Sequence, residues 1–398
     1  MKIITFKRRS SVVLAVLMIL WVVACNLFLS SPNRHFAWLA NSFISGRLDI
    51  PAEKLREAGM TDIVVKNGRY YWPLEPMPAV LMMPLAPFIA EDDLQQVAQI
   101  LASLTLLGLA FLVARRSRYS DDDSLLFACL LGFGSMAIGV ISINGPWYLG
   151  DTVAAVFVLA AVLETRGRNR PWLVGILAGL AGLSRLTAGL GAFYFILLEL
   201  FARRGHREKL RRLAAIALPA LAAIALAASY NHLRFGGWLD TGHKDHFLLP
   251  AGREAWYVAR YGLFNTAYFL RNFYFYFLKL PELYRWLPLV HPYGVSAFIV
   301  APVFLYAWLA DRRRPEFAAA LLASVGPFAV YLTYFTTGFW QFGSRYVLDV
   351  LPYWYLLVLL FFERLGLRRR HRLMIVASAA LNCALFVIFM LHYDLKVI

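Results

Sequence analysis

Runs of roughly 17–22 mostly apolar residues recur along this chain from one end to the other, and each is long enough to cross a hydrocarbon core of about 30 Å. No other feature narrows the fold so far. In lipid every backbone N–H and C=O must be satisfied internally, so such runs are read as helices packed into a bundle. Composition agrees, with 60% hydrophobic and 16% charged residues, against about 45–50% and 25% in soluble domains. The expected fold class is an all-α polytopic membrane protein forming a single transmembrane domain over residues 1–398.

The formal net charge of +16 invites a nucleic-acid reading, but the placement of the charges opposes it. Lys and Arg gather in short connectors: Lys7 to Arg9, Arg115 to Arg118, Arg166 to Arg168, Arg203 to Arg212, Arg312 to Arg314 and Arg364 to Arg372. Clusters of this kind mark cytoplasmic loops, and they form no contiguous basic surface for nucleic acid. Cys25, Cys129 and Cys383 each lie inside an apolar run, as small buried hydrophobes rather than a disulfide or zinc framework. The absence of an N-x-Ser/Thr sequon favours a bacterial envelope protein. The first apolar run lacks a small-residue cleavage site, so an uncleaved span is expected.

Oriented by the basic connectors, the runs predict about eleven spans, with the N-terminus cytoplasmic and the C-terminus outside. Residues 171–202 begin and end beside basic clusters yet exceed one span, so they are expected to fold as a hairpin of two short helices with Ser184 and Arg185 at its outer tip. Two long outer segments, within 31–93 and 231–291, hold most of the acids, histidines and aromatics outside the spans. Connections longer than about 12–15 residues in a compact fold are usually functional or disordered, and these are too aromatic for disorder. In the first, residues 36–44 show the rhythm of an amphipathic interfacial helix, while 77–90 hold Pro78, Pro84 and Pro87 and read as a broken or re-entrant segment. In the second, the aromatic stretch from Tyr257 to Phe277 reads chiefly as a headgroup-depth belt.

Several polar residues stand out against this background. Arg185 in GLAGLSRLTAGLG is flanked by apolar sequence, where an arginine at mid-bilayer costs roughly 2.5–3.5 kcal/mol, so it must lie at the boundary or be paired. It reads either as a snorkelling residue at a hairpin tip or as a phosphate or carboxylate contact. Arg345 in FGSRYVLDVLPY has Asp349 four residues on, which predicts either a pair along a helix or, again, a phosphate contact. Asp151, near an outer helix start, is expected to serve the helix dipole. Asp240, His243, Asp245 and His246 in DTGHKDH are weak candidates for holding a divalent metal ion, because the donors suit one but the spacing matches no specific site. No phosphate-binding glycine loop of the GxxxxGK[ST] or GxGxxG kind appears in the connectors.

Taken together, the stretches HFAWLANSFISGRLDI, NGRYYWPLEPMPAVLMMPLAPF, LAGLSRLTAGL, YNHLRFGGWLDTGH and FGSRYVLDVLPY resemble membrane glycosyltransferases of the GT-C superfamily, which includes polyprenyl-phosphate-mannose-dependent mannosyltransferases and the lipid A aminoarabinose transferase. The resemblance covers most of the chain in layout. It implies a sugar donor linked to polyprenyl phosphate, an envelope glycan, lipid or protein as acceptor, and reaction at the outer face of a bacterial cytoplasmic membrane. In many members an acid follows the first span directly, where this chain has Ser31, Pro32 and Asn33. The catalytic role then falls to Asp62, with Asp49 second.

Such a transfer needs a base for the acceptor hydroxyl and cations for the departing phosphate. Asp62 or Asp49 is expected to be the base, Arg185 and Arg345 the phosphate contacts, and His35 a sugar or phosphate contact. Tyr70, Tyr71 and Trp340 offer rings on which a sugar could stack. The expected partners are the lipid-linked donor, the envelope acceptor and membrane lipids, without nucleic acid. The competing expectations are a flippase or transporter of lipid-linked sugars and a non-catalytic accessory protein that has lost its acid.

Overall fold

The computed structural model describes residues 8–58, 62–242, 253–284 and 286–393, most of them helical. Among the described residues six helices are long and apolar enough to span a membrane: α1 (Arg8–Phe28), α5 (Glu91–Arg116), α8 (Pro146–Thr165), α12 (His206–Phe235), α16 (Pro315–Thr333) and α18 (Arg369–His392). Between α1 and α5 lie α2 (His35–Ile44), α3 (Ala52–Ala58), the hairpin β1 (Val64–Lys66) and β2 (Arg69–Tyr71), and the six-residue α4 (Met77–Met82). The shorter α6 (Asp121–Gly132), α7 (Ala137–Ile141), α9 (Pro171–Ser184), α10 (Leu186–Gly191) and α11 (Phe193–Phe201) fill the middle of the chain. Towards the end come α13 (Arg253–Tyr261), α14 (Phe269–Phe273), the hairpin β3 (Glu282–Tyr284) and β4 (Leu287–Leu289), α15 (Ala297–Val300) and α17 (Leu351–Leu365). The protein is an integral, multi-pass membrane protein.

The bundle is built around α8. Its apolar window is 72% buried, against 6% for α12, so the first is the central post and the second a lipid-facing wall. Small residues bring α12 close to α9. A Cβ on Gly175 would sit 2.3 Å from the carbonyl oxygen of Ile216, and one on Gly179 would sit 2.7 Å from Cβ of Ala223. This is the small-xxx-small packing by which membrane helices gain dispersion contact without hydrophobic drive.

Three apolar stretches are interrupted. Residues 125–143 break between α6 and α7 around Gly132 and Gly134, and Asn382 on α18 donates to the freed carbonyl of Phe133 at 2.9 Å. The same amide donates to Val300 O at 2.7 Å, where Pro302 ends α15 and the chain tightens into a 3₁₀ helix over Pro302–Leu309. A further 3₁₀ turn, Arg345–Asp349, precedes α17. Non-helical backbone is tolerated at such depth only where protein partners satisfy it.

The first outer segment is more enclosed than its sequence suggests. Helix α2, expected as an interfacial helix, has His35 to Ala40 and Ser42 all buried, because α4 and α5 cover it. The expected break within 77–90 is present: α4 ends at Met82, and the turns over residues 83–88 carry Pro84 and Pro87 before α5 begins. Asn67 and Gly68 both take left-handed φ, giving the tight turn of the β1–β2 hairpin with Lys66 opposite Arg69.

The basic connectors meet at one end of the bundle. Arg372 grips Asp123 at 2.8 Å, Arg314 reaches Glu363 at 3.4 Å, Arg212 reaches Glu199 at 2.8 Å and Arg166 lies 3.8 Å from Glu316. The first outer segment and Arg185 occupy other neighbourhoods, joined by the Leu186–Glu75 hydrogen bond.

Candidate functional site

Arg185 is the residue that separates α9 from α10, and its backbone is extended at φ −155° and ψ 125°. The reversal depends on two glycines, since a Cβ on Gly189 would lie 2.9 Å from Cα of Gly182. That close approach folds α10 back along α9 and leaves the arginine at the tip. Its Nε donates to both oxygens of Asp349, at 3.1 and 3.2 Å, and its Nη1 donates to Asp151 Oδ1. Arg345 Nη1 donates to the other oxygen of Asp151 at 3.3 Å. Asp349 also accepts from Thr187 Oγ1 at 2.5 Å and from the Tyr331 hydroxyl.

Four charges of zero sum thus sit together: two guanidinium groups and two carboxylates. Each carboxylate side chain is 1% exposed, Arg345 is 8% exposed and Arg185 16%. Ions this deep persist only when paired and hydrogen-bonded. Asp151 is therefore the bridge between two arginines rather than the dipole partner the sequence suggests. The expected pair along one helix, Arg345 with Asp349, is replaced by a crossed arrangement in which Asp349 takes Arg185.

Pairing does not exhaust the donors. Arg185 Nη2 makes no hydrogen bond among the described residues, and Arg345 Nε is buried without a partner. The half-buried Tyr346 ring lies between the two guanidinium groups, 4.9 Å from Cζ of Arg185 and 5.1 Å from Cζ of Arg345. Arg345 is fixed from behind by Gln341, whose side-chain oxygen accepts its N–H at 3.2 Å and whose amide donates to the carbonyls of Tyr293 and Thr337.

The first outer segment supplies the facing wall. Asp62, in a left-handed conformation at φ 59°, accepts from Trp147 Nε1 at 2.8 Å. Half-buried Tyr334 lies within electrostatic reach of Asp62, Arg185 and Arg345. Asp49 is elsewhere occupied: it pairs with Arg47 at 2.7 Å, and that hydrogen bond holds its carboxyl below the usual range. A salt-bridged carboxylate is a poor proton acceptor, which argues against Asp49 as base.

Four expected contacts are engaged elsewhere. His35 is fully buried, stacked on Trp72 with centroids 4.2 Å apart, and edge-on to Trp38 and Trp147. Trp340 is buried against Phe389 of α18, and its carbonyl accepts the Tyr148 hydroxyl, so no sugar can stack on it in this arrangement. Tyr71 packs against Phe235, and Tyr70 stays half-buried in the hairpin, its carbonyl accepting from Ile50 at 2.8 Å. Of the DTGHKDH group, Asp240 accepts the Gly242 N–H at 3.0 Å and lies 3.9 Å from Lys66. His243, Asp245 and His246 fall outside the described residues, and among the described ones no group of three or more His, Cys, Asp or Glu could hold a metal ion.

One acid was missed in sequence. Glu75 accepts the backbone N–H of Leu186 at 3.1 Å, immediately after Arg185, and is within electrostatic reach of Arg185 and Arg234. Burial pushes its carboxyl above the usual glutamate range. Its signal was a lone acid locked between Pro73 and Pro76 in an outer segment. Arg234, also unremarked, is buried with its Nη1 on the Trp72 carbonyl at 2.6 Å and its guanidinium 3.7 Å from the Tyr230 ring.

No protein-family model and no curated protein sequence matches the chain. Solved structures do. ArnT from Cupriavidus metallidurans, bound to undecaprenyl phosphate, superposes with a TM-score of 0.53 at 16% identity over 95% of this chain. The same enzyme in the apo state gives 0.51 at 17% identity over 89% of this chain. The present chain spans 64% and 60% of the length of those two. Identity at this level speaks for the fold alone: the chain has a GT-C-like fold, the one seen in a lipid A aminoarabinose transferase.

Proposed function

We propose that the chain is an integral membrane glycosyltransferase that moves a sugar from a polyprenyl-phosphate donor to a glycan, lipid or protein of the cell envelope at the outer face of a bacterial cytoplasmic membrane. The observation that carries this reading is the unused N–H edge of Arg185 beside Arg345, at the tip of a hairpin that faces the first outer segment. Guanidinium donors fixed by Asp151 and Asp349 are preorganised for a phosphate whose charge grows as the sugar leaves. The undecaprenyl phosphate bound by ArnT supports a polyprenyl phosphate as the lipid here.

The acceptor hydroxyl must give up its proton to a carboxylate as the glycosidic bond to phosphate breaks. With Asp49 committed to Arg47, Asp62 and Glu75 remain on this wall. The test is incubation of purified protein in liposomes with polyprenyl-phosphate sugars radiolabelled in the sugar. Transfer to added acceptors or release to water supports the reading; movement of intact donor between leaflets would replace it with a flippase.

The neutrality of the four-charge cluster favours a second reading, a non-catalytic accessory protein of the same fold, in which Arg185 and Arg345 only brace the helices. Donor that binds but is never turned over would establish it.

A further inference from the structure

We infer that Glu75 is the proton acceptor of this site, taking the hydrogen of the acceptor hydroxyl beside Arg185. The inference rests on the transferase reading and names the residue that would make it work.

Glu75 differs from the other acids around the cluster in being held without being neutralised. Asp49, Asp151 and Asp349 each have an arginine within salt-bridge distance, whereas Glu75 has no cation that close among the described residues. It accepts the backbone N–H of Leu186, which fixes its position against the Arg185 tip without a direct ion pair, Arg185 and Arg234 acting on it only at longer range. The segment carrying it is rigid. Pro73 and Pro76 flank it, and the buried Arg234 clamps the carbonyl of Trp72 at 2.6 Å, three residues upstream. Asp62, by contrast, carries the Trp147 indole on its Oδ2, a hydrogen bond that stabilises the charged form. Burial raises the basicity of Glu75 despite the opposing pull of Arg185 and Arg234, which suits a carboxylate that must accept a proton.

The charge bookkeeping closes. The acceptor oxygen forms a bond to the anomeric carbon as its proton passes to Glu75. The bond from that carbon to the phosphate oxygen breaks, and its electron pair leaves with the polyprenyl phosphate. One negative charge disappears from the carboxylate as one appears on the phosphate, so Arg185 stays opposite the same total charge throughout. Water can stand in for the acceptor in the same step, giving free sugar.

The experiment follows sugar release from radiolabelled polyprenyl-phosphate mannose, glucose and arabinose, with kcat and KM measured across pH for wild type, E75Q, E75D and D62N. E75Q is expected to lose about 100-fold or more in kcat with KM little changed. E75D should keep part of the activity and move the acid limb of the pH profile to lower pH, while D62N keeps the wild-type limb whatever its effect on KM. E75Q turnover within about tenfold of wild type, or a limb that moves in D62N and not in E75D, would overturn the assignment. Should E75Q fail to fold, the E75D limb decides alone, an unshifted limb counting against Glu75. Wild type inert on every donor would instead remove the transferase reading itself, and this assignment with it.

Discussion

The guanidinium of Arg185 and the carboxylate of Asp349 stand 164 residues apart in the chain and meet at 3.1 Å inside the bundle. Asp151 joins them from a third segment and also takes Arg345, so two arginines and two aspartates neutralise one another where none could be buried alone. The pairing is both a structural clasp and the frame that aims the unused edge of Arg185.

Breaking the clasp on one side is expected to be severe. D349N leaves Arg185 and Tyr331 facing a neutral amide and should destabilise the protein by about 3–5 kcal/mol, the usual loss when one partner of a buried pair is removed. Thermal unfolding in detergent measures this. An R185Q/D349N double variant should recover part of that stability without recovering turnover, because the donor edge is gone.

R185K keeps the charge but not the fork. A lysine replaces the planar, pre-oriented fork that meets Asp151 and Asp349 with a single point charge, so donor use should fall about 10–100-fold, in line with about 1.5–3 kcal/mol for a charge-assisted hydrogen bond. Donor-concentration kinetics check it, and a stability loss of the same size with intact turnover would assign Arg185 to bracing alone.

Glu75 gives a stability prediction independent of any substrate. Its folded carboxyl is raised above the unfolded value, so the folded state binds the extra proton. Below the ordinary glutamate range both states are protonated and nothing is lost. As pH rises through the raised value, the folded protein must hold a poorly solvated charge and loses stability. E75Q is neutral throughout and should therefore melt above wild type at neutral pH, with the gap closing in acid. A gap that stays constant with pH would refute the burial account.

Asp49 behaves in the opposite sense and weakly. Its carboxyl is depressed by Arg47, so the pair contributes stability above the ordinary carboxylate range, lost as pH falls through the depressed value. The Arg47 side chain is 49% exposed, which screens the pair to at most about 1 kcal/mol. D49N should shift the melting temperature slightly and leave turnover intact; loss of turnover would return Asp49 to the catalytic candidates.

The α9–α12 seam offers a test of packing. G175A puts a methyl group 2.3 Å from the Ile216 carbonyl oxygen and should cost about 1–3 kcal/mol, whereas G108A in α5 meets nothing within 4 Å and should be neutral or stabilising. Paired thermal-unfolding curves decide it.

Much of this architecture was legible because lipid imposes simple rules. Long apolar runs had to be helices, and a run too long for one span had to fold back, which put Arg185 at a tip before any contact was known. The β1–β2 turn at Asn67-Gly68 was not read from the sequence, although such a pair favours the left-handed φ both residues adopt. Partner choice was not legible in the same way. Arg345 and Asp349 looked like neighbours on an α-helix, but they lie in a 3₁₀ turn, where residues three apart share a face and those four apart do not. His35 and Trp340 looked like ligand contacts because they are polar or aromatic in outer segments, and only packing against Trp72 and Phe389 shows them as interior residues.

By itself, then, the sequence determined the class of the fold, the helical course of the chain and the arginine at the hairpin tip, since each follows from local length, hydropathy and the charge of connectors. Only the tertiary structure decided which carboxylate meets which guanidinium, and that Glu75, with no salt bridge among the described residues, is anchored on the backbone N–H next to Arg185. Burial and ion pairing are properties of surroundings assembled from distant segments, so no single stretch of sequence carries them.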